Sequence, residues 1–141
     1  MQKKSKTDAS LTRIVDANCN RAAEGLRVAE DIVRFSWNSA RHALILKKLR
    51  HNMYAAFGTM KIPYDECLST RDSDYDIGKK SVEKKDAISL ESLFIANMKR
   101  AQEALRVLEE CSKAYSYRSA ALFQSIRFDA YSVEKKVIAA R

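Results

Sequence analysis

Apolar residues recur along this chain every three or four positions, the spacing of one face of an α-helix. Leu11, Val15, Ala22, Leu26, Ala29 and Val33 fall in one stripe at about 100° per residue. Phe94, Ala101, Leu105 and Leu108 form a second. The pattern and its stop signals predict four long helices. The first runs from a cap at Asp8 or Ser10 to about Phe35. The second runs from the cap candidates Ser36 and Asn38 to Gly58, the third from Ser89 to about Lys113, and the fourth from Ser116 or Ser119 to the end. Residues 58–81 break the pattern with the sole proline, two glycines and a cluster of Asp and Ser, which is loop chemistry with room for one short helical turn.

The polar positions repeat as well. DANCNRAAEGLRVAED at 16–31 returns as IANMKRAQEALRVLEE at 95–110, with nine of sixteen residues identical at an offset of 79. LRHNMY at 49–54 returns as IRFDAY at 126–131 with an offset of 77, so the turn within the second half is two residues shorter. The expected fold is therefore all-α: a single domain, 1–141, in which a duplicated helical hairpin (about 10–58 and 88–140) forms a four-helix bundle around an approximate two-fold axis. A polar stretch of residues 59–86 joins the halves, and a loop that long inside a compact domain is expected to be functional or disordered.

Composition narrows the class. Three glycines and one proline in 141 residues favour uninterrupted helices. No stretch approaches the roughly 20 apolar residues of a membrane span, and MQKKSKTDAS lacks the apolar core of a signal peptide. Cys19, Cys67 and Cys111 stand 48 and 44 residues apart, which suits neither a disulfide framework nor a zinc site. Cys19 and Cys111 occupy apolar helical positions and are read as small buried hydrophobes. These features fit a reducing cytoplasm. A net charge of +8 favours an anionic partner without choosing among phosphate, nucleotide and nucleic acid.

A shared fold needs the repeated apolar residues but not the repeated Asn, Arg and Glu. Asn18 and Asn97 fall inside their stripes, with Arg21 and Arg100 at the edges. Gly25 and Ala104 on the same face leave room, either for close helix approach or for a ligand. A buried amide without partners costs a few kcal/mol, and two readings resolve this. In one, the asparagines bond each other or the facing backbone across the axis. In the other, Asn18, Arg21, Asn97 and Arg100 line a polar cleft, which Arg50 and Arg127 reach from the second and fourth helices. Arginines gathered in this way repel one another unless an anion fills the space, and their planar fork suits phosphate. Glu30, Glu109, Arg27 and Arg106 are read as exposed charge ladders. Glu24, with Arg27 and Asp31, points towards the side opposite the stripe, but Glu24 and Glu103 lie one turn from the flanking arginines and are open to a second role as metal ligands.

The loop STRDSDYDIGKKS gathers Asp72, Asp74 and Asp76 with Arg71, Gly78, Lys79, Lys80 and Ser81. Carboxylates suit magnesium, and Lys with backbone amides suits phosphate. The alternative is a plain solvated loop. It is not a P-loop: Ser73 stands where that motif needs glycine, and Lys80 where it needs Ser or Thr.

DANCNRAAEGLRVAED with RF at 34–35, LRH at 49–51, STRDSDYDIG at 69–78 and NMKRAQEALRVLEE at 97–110 together resemble the hydroxymethylpyrimidine-phosphate kinase domain often fused ahead of thiamine-phosphate synthase. The resemblance covers nearly the whole chain. It implies phosphorylation of 4-amino-5-hydroxymethyl-2-methylpyrimidine phosphate to its diphosphate, using ATP and magnesium, in thiamine biosynthesis. No synthase barrel is expected within 141 residues, so coupling to the thiazole is not expected. Carried over by motif, the site comprises Asn18, Arg21, Glu24, Asn97, Arg100 and Glu103, with Arg50, His51 and the Arg71–Gly78 loop. Arg21, Arg100, Arg50 and Arg127 would hold phosphates. Asn18 and Asn97 would orient the pyrimidine or an oxygen. Glu24, Glu103, Asp74 and Asp76 would serve magnesium, with Asp72 and Lys79 also at the substrate. Phe128 stands at the position corresponding to His51, so any special role of His51 belongs to one half. A cleft tuned to the substrate's phosphate would reject unphosphorylated hydroxymethylpyrimidine.

Two rival readings remain: a basic helical module that binds nucleic acid, and a non-catalytic regulator of a separate thiamine-phosphate synthase. Few aromatics are placed to stack on single strands, and no helix-turn-helix spacing stands out, so specific nucleic-acid and membrane partners are not expected. A homodimer and a functional link to a separate synthase stay open.

Overall fold

A computed structural model describes residues 6–79 and 88–141. The described residues form helices and connecting turns, without strands. Helix α1 spans Lys6–Asp31 and runs into a π-helical turn, Ile32–Ser36. It starts earlier than the expected caps Asp8 or Ser10. Helix α2 spans Ala40–Gly58, and its cap is Ser39, which accepts from the His42 amide, rather than Ser36 or Asn38. The π turn extends the first helix through Ser36, and Asn38 adopts φ 51°, a left-handed conformation that asparagine tolerates. Helix α3, Tyr64–Thr70, is the short helical turn in the polar connection. Helix α4, Leu90–Ser112, opens on a capping box between Ser89 and Ser92. Helix α5, Tyr117–Ala139, is capped by Ser116. Lys80 and Ser81 of the polar connection lie outside the described residues.

The long helices form a ring in which α1 packs on α4 and α2, and α5 on α4 and α2. Helices α1 and α4 are antiparallel. Thr12 near the start of α1 meets Tyr115 just beyond α4 (Oγ1 to OH, 3.2 Å), while Trp37 beyond α1 packs at a tilt against Phe94 near the start of α4, with centroids 5.3 Å apart. Helices α2 and α5 meet likewise, through Thr59 and Ser119 (2.7 Å between hydroxyl oxygens). Leu26, Leu46, Met53, Phe94, Met98, Leu105, Leu108 and Phe123 fill the interior and are fully buried. Among the described residues, no helix is long and apolar enough to cross a membrane.

The repeat recurs in the electrostatics. Inside the first hairpin, Arg50 Nη2 donates to Glu30 Oε2 at 3.1 Å, and inside the second, Arg127 Nε donates to Glu109 Oε2 at 2.9 Å. Glu30 and Glu109 are thus buried partners of the neighbouring helix, not members of exposed ladders. Burial removes water from both charges, so each pair holds only because its partner compensates. Arg27 and Arg106 instead pair along their own helices with Asp31 and Glu110.

Candidate functional site: a cleft between the repeated helices

A cleft of about 580 Å³ lies between α1 and α4, within the volume range of small-ligand sites. Its lining consists of five residue pairs at the offset of 79: Asn18/Asn97, Arg21/Arg100, Glu24/Glu103, Gly25/Ala104 and Val28/Val107. Helical periodicity explains the set, because positions separated by three or four residues share one face. Antiparallel packing then brings the same face of each repeat to a single groove.

Neither stated arrangement of the asparagines holds in full. Asn18 and Asn97 line the cleft but bond neither each other nor the facing helix. Each donates Nδ2 to the carbonyl four residues earlier in its own helix, Asn18 to Ile14 at 2.9 Å and Asn97 to Leu93 at 2.8 Å. This satisfies the amide donor and leaves Oδ1 for another group. At Asn97 that group is Arg100, with Nη1 at 3.5 Å.

The charges in the cleft differ from all others in the repeat. Arg21, Arg100, Glu24 and Glu103 are exposed, and none has an ion-pair partner among the described residues. Two guanidinium groups and two carboxylates balance formally. The groove therefore does not carry the excess of arginine that four convergent arginines would give it.

Arg50 and Arg127 are not in the cleft, because Glu30 and Glu109 hold them in the seams within the hairpins. Arg127 also donates to the Tyr131 hydroxyl at 3.3 Å and lies over the Phe128 ring. His51 is exposed on α2 and does not line the cleft. Arg71 is clamped by Asp16, with Nε to Oδ2 at 2.7 Å and Nη2 to Oδ1 at 2.9 Å, and it covers the Tyr64 ring. Hydrogen bonding to Asp16 pushes the Arg71 pKa further up. Asp16 and Asn18 project from opposite sides of α1, since two residues span about 200° of turn. The polar loop therefore leaves from the side of α1 away from the cleft. Its groups bond among themselves: Asp72 accepts from the Tyr75 amide, Asp76 from the Gly78 amide, and Lys79 Nζ donates to the Asp74 carbonyl at 2.7 Å. Asp72, Asp74, Asp76 and Lys79 are exposed and do not line the cleft.

Among the described residues, no group of three or more His, Cys, Asp or Glu could hold a metal on its own. Magnesium does not require one, because it keeps several waters and is commonly held by one or two carboxylates together with substrate phosphates. Glu24 and Glu103, unpaired in the cleft, fit that donor set.

The sequence reading missed Asp16. It has no counterpart in the second half, where Ile95 stands, so the repeat does not mark it. A lone acid on a helical face that is otherwise buried is the signal that marks it.

The ThiD2 family model matches residues 13–136. The chain is similar to thiamine-phosphate synthase of Nostoc punctiforme, 37% identical over 128 residues that cover 89% of this chain and 35% of the relative. It is also similar to that of Rhodopirellula baltica, 33% identical over 130 residues (91% and 34%), and of Synechocystis sp., 32% identical over 145 residues (100% and 39%). The chain thus spans about a third of the length of these curated relatives. No solved structure matches it. With the match extending from the first turns of α1 into the last turns of α5, this chain belongs to the ThiD2 family, a domain family of thiamine biosynthesis.

Proposed function

We propose that the chain phosphorylates 4-amino-5-hydroxymethyl-2-methylpyrimidine phosphate to its diphosphate with ATP, at the cleft between α1 and α4. The observation that carries this reading is the set of repeated charges left unpaired there while every other repeated charge is engaged. Phosphoryl transfer asks a protein chiefly for positioning and for charge around the moving group. Arg21 and Arg100 bind phosphate oxygens through their forked donors. Asn18 and Asn97, with their amide groups anchored on their own helices, offer Oδ1 to orient the pyrimidine amino group or a hydroxyl. Magnesium arriving with ATP would neutralise phosphate charge, and Glu24 and Glu103 are the carboxylates placed to meet it. With that charge added, the balanced groove turns cationic and suits two phosphate-bearing substrates.

A non-bridging oxygen of the pyrimidine phosphate forms the new bond to the γ-phosphorus of ATP. The bond from that phosphorus to the β–γ bridging oxygen breaks, and its electron pair leaves on ADP. The attacking group is already a phosphate oxygen, so no strong general base is needed. Arg71, Asp72, Asp74, Asp76 and Lys79 would contribute only if the loop moved, and Arg50, His51 and Arg127 are left without a direct role. The pyrimidine diphosphate would supply a thiamine-phosphate synthase, the activity by which the relatives are named, and a cytoplasmic setting suits that supply. Incubation with ATP, magnesium and the pyrimidine monophosphate tests the reading. ADP and diphosphate should appear in equal amounts by phosphorus NMR. ATP left intact would refute the proposal.

A further inference from the structure

The two sides of the cleft match in chemistry as well as in sequence. Each supplies one amide, one guanidinium and one carboxylate, from positions 79 residues apart. Because α1 and α4 are antiparallel, the two sets run in opposite directions about an approximate dyad between the helices. A single phosphate meets both halves only on the dyad itself, where it leaves the outer groups of each half unmet. A row of phosphates, repeating the same group outward from its middle, meets both halves in the same way.

In-line transfer between two phosphates makes such a row, since the attacking and leaving oxygens flank the moving phosphorus, each belonging to its own phosphate. We infer that each half of the cleft holds one of these flanking phosphates, so that the transferred phosphoryl lies on the dyad between Arg21 and Arg100. The pyrimidine phosphate occupies one half and the β-phosphate of the nucleotide the other. The naming of the two organic ends rests on the kinase reading above. The ligand class, a linear oligophosphate, rests on the symmetry of the cleft.

Calorimetric titration of the whole chain in magnesium buffer, with inorganic probes, tests this apart from turnover. Tripolyphosphate should bind once per chain and about 100-fold tighter than orthophosphate, the lower end of the gain from joining two binding units. Arg21→Ala and Arg100→Ala should weaken tripolyphosphate by similar factors, because this probe is itself symmetric. Arg21→Lys and Arg100→Lys, which keep the charge and lose the fork, should give smaller and again similar losses. With unsymmetrical ligands the responses should separate: one alanine variant loses the pyrimidine monophosphate, the other ADP.

Equal affinities for tripolyphosphate and orthophosphate would overturn the inference. So would one arginine carrying all of the tripolyphosphate binding, or the same arginine carrying both organic ligands. Symmetric tripolyphosphate binding without kinase turnover would refute the proposed function and leave the oligophosphate site standing. Turnover with an unsymmetrical tripolyphosphate response would do the reverse.

Discussion

Gly25 on α1 lies directly against the backbone carbonyl of Asn97 on α4: a Cβ at Gly25 would stand 2.7 Å from that oxygen and 3.3 Å from the Ala101 Cβ. The obstacle is main chain, which cannot swing aside as the end of a side chain can. Gly25→Ala should therefore push α1 and α4 apart. The helix-propensity gain of about 1 kcal/mol is outweighed by an overpacking cost of about 1–3 kcal/mol. The variant should melt below the parent and, under the proposed function, lose turnover, because Asn97 moves with its backbone. A variant more stable than the parent in thermal denaturation would show that the contact has slack.

Replacing Arg21 or Arg100 by alanine should affect activity and leave stability alone. Both side chains are exposed and neither is ion-paired among the described residues, so the stability change should stay within about 0.5 kcal/mol. Removing one donor to developing charge should lower turnover by about 100-fold or more. Steady-state kinetics beside a melting curve separates the two effects. Turnover held within about twofold in both variants would remove the cleft from the reaction.

The seam between α4 and α5 should behave in the opposite way. The Arg127 and Glu109 side chains are each 9% exposed, so Arg127→Ala strands a buried carboxylate. The expected loss is about 3–5 kcal/mol. Joining Glu109→Leu with Arg127→Met removes both charges and should restore most of it. Urea denaturation of the singles and the double reads this as a large coupling between the two sites.

Burial first, and Asp16 second, push the Cys19 thiol up from the ordinary 9.0 to about 12. A raised folded-state value favours the protonated form. The stability it contributes is complete below pH 9.0 and is lost as pH climbs towards about 12. Iodoacetamide near pH 8 should spare Cys19 in the folded chain and label it in urea, since the thiolate is the reactive form. Cys19→Ala should flatten the alkaline decline in stability.

The helices were legible because apolar spacing and serine caps are local signals. Ser89 and Ser116 cap their helices as expected. The second cap moved to Ser39 because nothing in the composition announces a π turn. Part of the cleft was legible for a different reason: Asn18, Arg21, Asn97 and Arg100, repeated at one offset beside the apolar stripe, must meet if the repeats pack face to face, whereas Glu24, expected on the opposite polar side, lines the cleft because the groove reaches beyond the stripe. Arg50 and Arg127 show where such reasoning stops. Each flanks an apolar stripe, and a flank has two sides. The side was set by Glu30 and Glu109 on the adjacent helix, whose burial depends on packing that no single helix specifies. The loop motif was visible as composition, but its anchor depends on Asp16 meeting Arg71 across 55 residues of sequence.

The two buried Glu–Arg pairs are separated by 20 residues in the first hairpin and by 18 in the second. The surplus lies at Ile32–Ser36 and the residues after it, where the helical ladder widens into a π turn, so each salt link survives a different spacer length. Ile32 and Val33 of this turn belong to the core, while Arg34, Phe35 and Ser36 are exposed. A shortening confined to the exposed part of the corner should therefore leave both seams and the molecule assembled.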